Sequence, residues 1–198
     1  MASEIPYTSA ERPDTGLTNG RIAVWLFLAS EVMLFGALFA SYVMLRAGAP
    51  SWPRPAALLD VPLATVNTLV LIASGVTMAL ARRAIRGGDL RGFRRFMGGT
   101  VLAGGLFLIL ESVEWAARIE RGLLPSTNTF LALVFTLTGL HALHVLGGLA
   151  VNGYLWGPGA RLQGSDTRHF ALRVENAALY WFFVDLVWIV LFPVLYIL

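Results

Sequence analysis

The chain predicts an all-α fold, a polytopic membrane bundle of five transmembrane helices with the N-terminus inside and the C-terminus outside. Three observations lead there. Five apolar runs, at about 22–45, 63–84, 96–117, 130–156 and 172–198, each reach the roughly 20 residues that cross a hydrocarbon core. The 198 residues are 57% hydrophobic and 14% charged, with a mean hydropathy of +0.68, which is too apolar for a soluble domain of this length. The basic residues, all fifteen of them arginine, gather in alternate connections. Eleven (Arg12, Arg21, Arg82, Arg83, Arg86, Arg91, Arg94, Arg95, Arg161, Arg168, Arg173) fall on the side of the N-terminus and four (Arg46, Arg54, Arg118, Arg121) on the other, which sets the orientation by the positive-inside rule. The basic balance therefore reads as topology and contact with anionic lipid, and nucleic acid is not among the expected partners.

In chain order, residues 1–20 form a polar tail and 21–198 a single five-helix domain. The tail carries Glu4, Glu11, Arg12 and Asp14, and the run behind it is longer than a cleavable signal core, so the first helix is expected to be retained. Pro50, Pro53, Pro55 and Pro62 make a stiff break after the first span. Residues 82–95, with six arginines around Gly87 and Gly88, read as the loop between the second and third spans. Gly122 and Pro125 mark the end of the third span, and Pro158, Gly159 and Gly164 the end of the fourth. Arg82, Arg83, Arg94, Arg95 and Arg168 are candidates for lipid headgroup contact at the inner surface.

Every span carries polar groups that lipid cannot satisfy. Glu31 lies near the midplane of the first, where an ionised acid costs about 2.5–3.5 kcal/mol. Its helical neighbours Phe27, Phe35, Leu38 and Tyr42 are large, while Ala29, Gly36 and Ala40 lie on nearly the opposite face. Small residues admit close helix contact, so Glu31 is expected to point toward a partner subunit or a lipid, as a carboxylate for proton coupling or partner contact. Packing with a satisfied proton is the competing role. Asn67, Ser74 and Thr77 supply interhelical donors in the second span.

In the third span Glu114 and Arg118 have the acid-before-base spacing of a salt bridge, read here as an outer-interface pair beside a Trp115 anchor. Glu111 is deeper and faces the fourth span. That span reads TLTGLHALHVLGGLAVN over 136–152. Thr138, His141, His144, Gly148 and Asn152 recur at steps of three or four and are expected on one face, a polar seam between helices. Glu175 and Asp185 add carboxylates to the fifth span, beside Trp181 and Trp188. The expected buried network is thus Glu111, Thr138, His141, His144, Asn152, Glu175 and Asp185.

The inventory argues against chemistry in this chain. It contains no cysteine, no nucleophile beside a base and no phosphate loop. A haem held by two imidazoles needs them on opposite sides of the ring, whereas His141 and His144 point the same way at i,i+3, and His169 sits beside an inside connection. A mononuclear metal would need Glu31 or Glu111 as further ligands. No metal site and no catalytic residue are therefore expected.

At these residues the chain resembles subunit III of haem–copper respiratory oxidases. The resemblance rests on LFLASEVMLFGALFASYVMLR around Glu31, VNTLVLIASGVTM in the second span, ESVEW in the third, TGLHALHVLGG in the fourth and ENAALYWFFVDLVWIVLFPVLYIL in the fifth. It implies a five-span bacterial form in the cytoplasmic (inner) membrane, part of aerobic electron transport and proton translocation. It implies an accessory subunit, enzymatic only as part of an oxidoreductase and translocase, that packs directly on subunit I beside subunit II and small subunits. Haem and copper would sit in those partners, with no cofactor here beyond bound phospholipid. Longer members of the family have seven spans, and this chain begins at what would be the third. Their histidine in the Y-W-H-F element is Phe182 here, so Asp185 or Glu175 is expected to be paired differently. The ending LFPVLYIL leans toward cytochrome c as electron donor, with quinol the alternative. An accessory role in a nitric oxide reductase or alternative quinol-oxidising complex is the runner-up, and a stand-alone transporter or b-type haem protein the reading from another class.

Overall fold

The structure, a computed structural model, describes residues 10–159 and 167–198. Its elements are α1 (Asn19–Gly48), a short α2 (Pro55–Leu58), α3 (Val61–Arg86), α4 (Leu90–Glu120), α5 (Thr129–Trp156) and α6 (Thr167–Phe192), followed by a π turn over Pro193–Ile197. Five helices are long and apolar enough to cross a membrane, so the protein is multi-pass.

Helix starts are written in single polar residues. Thr18, Asp60, Asp89 and Asn128 each accept a hydrogen bond from the backbone N–H three residues on, capping α1, α3, α4 and α5. Pro62 lies in the first turn of α3 and not in the break, because its missing N–H is one the helix start leaves unpaired anyway. The arginine-rich stretch 82–95 also differs from expectation. Only Gly87–Asp89 separate α3 from α4, and the arginines ride on the two helix ends. Gly88, at φ +75°, makes that turn, and Asp89 N–H donates to Ala84 O at 2.9 Å. At the far end, Pro193 cannot donate into the ladder, and the chain closes a wider turn with Leu198 N–H on Pro193 O at 3.0 Å. Arg161 and Gly164, counted above in the connection to α6, and Glu4 lie outside the described residues.

Helices α3 and α4 form the tightest pair. Asn67 Nδ2 donates to Phe107 O at 3.3 Å, Ser74 Oγ to Thr100 O at 3.4 Å, and the Thr77 and Thr100 hydroxyls meet at 2.9 Å. Helix α6 lies against α3, α4 and α5 through Trp181. Its indole N–H donates to Ser74 Oγ at 2.9 Å, and its ring is clamped between Gly104 of α4 and Gly148 of α5. A Cβ on either glycine would stand 2.8 Å from the ring.

Helix α1 is held more loosely. Its buried residues Leu28, Glu31, Phe35 and Tyr42 follow a spacing of three, four and seven, and reach the bundle through long side chains. Phe27 meets Tyr180, Phe35 meets Phe183, and Tyr42 meets Trp52, which meets Phe130, with ring centroids 5.6–6.3 Å apart.

Gly148→Val is expected to lower detergent-solubilised stability by about 1–3 kcal/mol, the range for forcing a branched side chain into a closed contact. Ser74→Ala removes the interhelical hydrogen bonds to Thr100 O and from the Trp181 indole and should cost about 1 kcal/mol, at roughly 0.6 kcal/mol for each. Thermal unfolding of both variants in one detergent checks the ranking, and equal midpoints would contradict the clamp.

Candidate functional site

The membrane interior holds its polar groups in three sets. In the first, Glu31 of α1 meets His144 of α5, with Oε2 2.8 Å from Nε2. His144 Nδ1 lies 2.8 Å from Leu140 O, a carbonyl that can only accept, so Nδ1 carries a proton. That leaves Nε2 to face the Glu31 carboxyl. Phe35 sets its ring edge-on to His144 at 5.2 Å, and Tyr180 donates its hydroxyl to His144 O at 2.9 Å.

Glu31 thus faces its own chain, contrary to the outward direction expected. The large residues of α1 make the contact with the bundle, and Ala29, Gly36 and Ala40 are exposed. Reach replaced close approach, because α1 stands off from α5 and α6 at the distance an aromatic side chain spans. The Glu31 side chain keeps 12% exposure, enough to be reached from outside. Nearby, Val24, Phe27, Asn152, Arg173, Asn176 and Tyr180 line part of a cavity of about 450 Å³ between α1, α5 and α6.

The two histidines do not act together. His141 is fully buried, stacked on Trp188 at 5.0 Å and edge-on to Phe107 at 5.7 Å, with neither ring nitrogen hydrogen-bonded among the described residues. A three-residue step leaves two side chains about 60° apart around a helix, and here that angle sends His141 into the core and His144 to α1. Asn152 is buried without a side-chain partner among the described residues, so the single seam expected over 138–152 is divided. Among the described residues no group of three or more His, Cys, Asp or Glu is arranged to hold a metal ion.

The second set lies toward the Arg118 end of α4. Glu114 Oε1 is 2.7 Å from Arg118 Nη2, and Tyr196 bridges them, donating to Glu114 at 3.1 Å and accepting from Arg118 at 3.2 Å. The pair exists, but it is not the surface bridge expected. Both side chains are no more than 3% exposed, because the turn after Pro193 folds Tyr196 over them and Phe135 lies 5.6 Å from the guanidinium. Trp115 is likewise a strut and not a surface anchor. Its N–H is 3.1 Å from both Glu111 Oε1 and Thr138 Oγ1, joining α4 to α5.

In the third set Glu175 was expected in the buried network, but its partners were not foreseen from the sequence. Glu175 Oε1 pairs with Arg86 Nε at 2.5 Å, and Oε2 with Arg21 at 3.5 Å, so one carboxylate ties α6 to α3 and α1. The signal was available, since the start of α1, the end of α3 and the start of α6 occupy one membrane level in an alternating bundle. Asp185 is buried against Gly75, where an added Cβ would collide with its carboxylate. Its Oδ1 has no partner among the described residues. Phe182 leaves the polar sets and lies beside Arg82, Arg83 and Arg86. Arg94, Arg95 and Arg168 are exposed.

A family model described as cytochrome c oxidase subunit III matches residues 13–198. The chain is 40% identical over 177 residues to cytochrome c oxidase subunit 3 of Synechocystis sp., an overlap of 88% of this chain and 74% of that one. It is 39% identical over 176 residues to cytochrome c oxidase subunit 3 of Corynebacterium diphtheriae, covering 86% and 84%. To cytochrome bo(3) ubiquinol oxidase subunit 3 of Pseudomonas aeruginosa it is 31% identical over 201 residues, covering 100% and 93%.

Arg118→Met should strand the Glu114 carboxylate and destabilise the purified chain by about 3–5 kcal/mol, whereas the double variant Glu114→Gln with Arg118→Met should recover most of that loss. A double-mutant cycle on thermal unfolding checks it. Additive losses would show that the two groups do not depend on each other.

Proposed function

The chain belongs to the cytochrome c oxidase subunit III family, and from that premise we propose that it is a non-catalytic accessory subunit of a proton-pumping haem–copper terminal oxidase in aerobic respiratory electron transport. In this reading it packs directly on subunit I, near subunit II and small subunits, in a bacterial cytoplasmic membrane with its N-terminus inside. Haem and copper, and the oxidoreductase chemistry, lie in those partners. Asn67, Ser74, Trp115 and Glu175 join its helices through their polar groups, which fits a stabilising role.

The observation that carries the reading is the Glu31–His144 pair. It sets a carboxyl 2.8 Å from an imidazole nitrogen within the membrane span, and the Glu31 side chain keeps 12% exposure. A group of this kind can take up or release a proton without moving a helix, because Leu140 O and Phe35 hold the imidazole in place. It therefore suits support of proton uptake by the neighbouring catalytic subunit.

Cytochrome c is the proposed reductant, favoured by the two relatives at 39–40% identity that carry that name. The Pseudomonas aeruginosa relative, matched over the whole of this chain, keeps the quinol reading in play. The proteins that co-purify in mild detergent decide between them. A subunit with a two-copper centre supports the first, and an oxidase lacking it the second. A nitric oxide reductase as the only companion would overturn both.

Glu31→Gln should leave assembly intact, since an amide keeps the hydrogen bond to an imidazole nitrogen. It should slow proton uptake and shorten the enzyme's lifetime during turnover. Flow-flash proton kinetics and activity decay in the assembled oxidase measure this, and unchanged values for both would reduce Glu31 to a packing residue.

A further inference from the structure

The cavity beside α1 contains a side chain that the fold leaves unanswered. About 450 Å³ opens between α1, α5 and α6, where α1 stands off from the bundle. Among its walls is Asn152 of α5, which is only 1% exposed. Neither the oxygen nor the nitrogen of its carboxamide has a hydrogen-bond partner among the described residues. A buried amide without partners is costly, and hydrocarbon cannot supply them. A polar group on a molecule seated in the cavity can.

Depth and lining narrow the chemistry of that molecule. Gly148 lies against the Tyr180 ring, so the two mark one level. Asn152 is one turn further along α5 and Asn176 one turn back along α6, both about 6 Å nearer the surface. Arg173 follows at the mouth, where it is exposed. Beyond Asn152 the wall is Val24, Phe27, Gly148 and the Tyr180 ring, whose hydroxyl is committed to His144 O. Asn152 offers both an acceptor and donors. Phosphate and ester oxygens only accept, so they leave Oδ1 unanswered. A hydroxyl donates and accepts. The deeper part favours a rigid body, because fused rings lose less conformational freedom in a slot than a flexible acyl chain does.

We propose that this cavity binds a neutral polycyclic alcohol of the sterol type from the surrounding bilayer. Its hydroxyl meets the Asn152 carboxamide, and its rings lie against Val24, Phe27, Gly148 and Tyr180. The hydroxyl donates to Oδ1 while its oxygen accepts from Nδ2, the cyclic pairing an amide makes with an alcohol. Bound there, the molecule fills the gap between α1 and the α5–α6 pair. The inference needs only that the chain spans a membrane, and it is independent of which electron donor the complex uses.

The test uses the full chain within its purified complex, in phosphatidylcholine nanodiscs that carry a small fraction of a photoreactive diazirine sterol with its hydroxyl free. Illumination and peptide mass spectrometry read the attachment points. Wild type should be labelled around residues 24–27 of α1 and 151–155 of α5, and excess unlabelled sterol should abolish the labelling. The sterol methyl ether keeps the rings but cannot donate. It should compete roughly tenfold less well, the value of one well-made hydrogen bond. Asn152→Leu should weaken sterol binding by about the same factor and erase the difference between sterol and ether. Its thermal midpoint should not fall, because the variant removes a buried polar group that has no partner within the fold. Val151→Trp fills the cavity from an exposed position and keeps Asn152, so it should fold normally and lose the labelling. Equal labelling of wild type and both variants overturns the site. Equal competition by sterol and ether in wild type overturns recognition by Asn152. Displacement by phosphatidylglycerol but not by unlabelled sterol gives the cavity to a phospholipid and overturns the proposal as well.

Discussion

The bundle depends on one side chain, the indole of Trp181. Lipid tails are as apolar as leucine, so membrane helices gain little from hydrophobic burial against each other and associate through close packing and hydrogen bonds. Trp181 supplies both at the point where four helices meet. It rises from α6, passes between Gly104 and Gly148 with no room for a Cβ on either, and ends on Ser74. One residue thereby fixes the rotation of α3, α4 and α5 about their own axes. That rotation decides which of their polar side chains face inward.

Around this centre the charges are arranged as groups that cancel. Glu114 and Arg118 cancel within α4 and are sealed by Tyr196. Glu175 offsets part of the charge of Arg21 in α1 and Arg86 in α3, and Glu31 meets His144 at 2.8 Å. Removing one member of such a group exposes a charge to hydrocarbon, so each group acts as a register lock more than as a source of net stability. Two of the three involve α1. This loosely held helix is tied to the bundle by an ion pair near its start, the Glu31–His144 pair near its middle and edge-on aromatic contacts beyond. Such a joint is firm in position but open at its edges, which is what leaves the 450 Å³ cavity beside it.

The arginine end of the molecule shows a different balance. Cations outnumber anions there, and the excess lies at the end of α3 and the start of α4.

The five helices were legible in the sequence because length and hydropathy alone require them, and their ends were approximately placed by glycine, proline and capping residues. Pro62 and residues 82–95 were misassigned to connections, since a helix in a membrane runs past its apolar run and carries arginines on its last turns. Membership of the site was legible too, because hydrocarbon makes every buried polar residue conspicuous. Its pairings were not. Periodicity put His141 and His144 on one face, but the 60° between them mattered only once α1, α4 and α6 took their places around α5. Glu31 faces inward because α1 stands off at aromatic distance, and Glu114 is buried because a π turn folds Tyr196 over it. Arg21, Arg86 and Glu175 lie far apart in the chain. The sequence determined which groups lipid would exclude, a property of each residue alone. Only the tertiary structure decided which group answers which, because that depends on helix rotation and spacing, and those are set by contacts between distant residues.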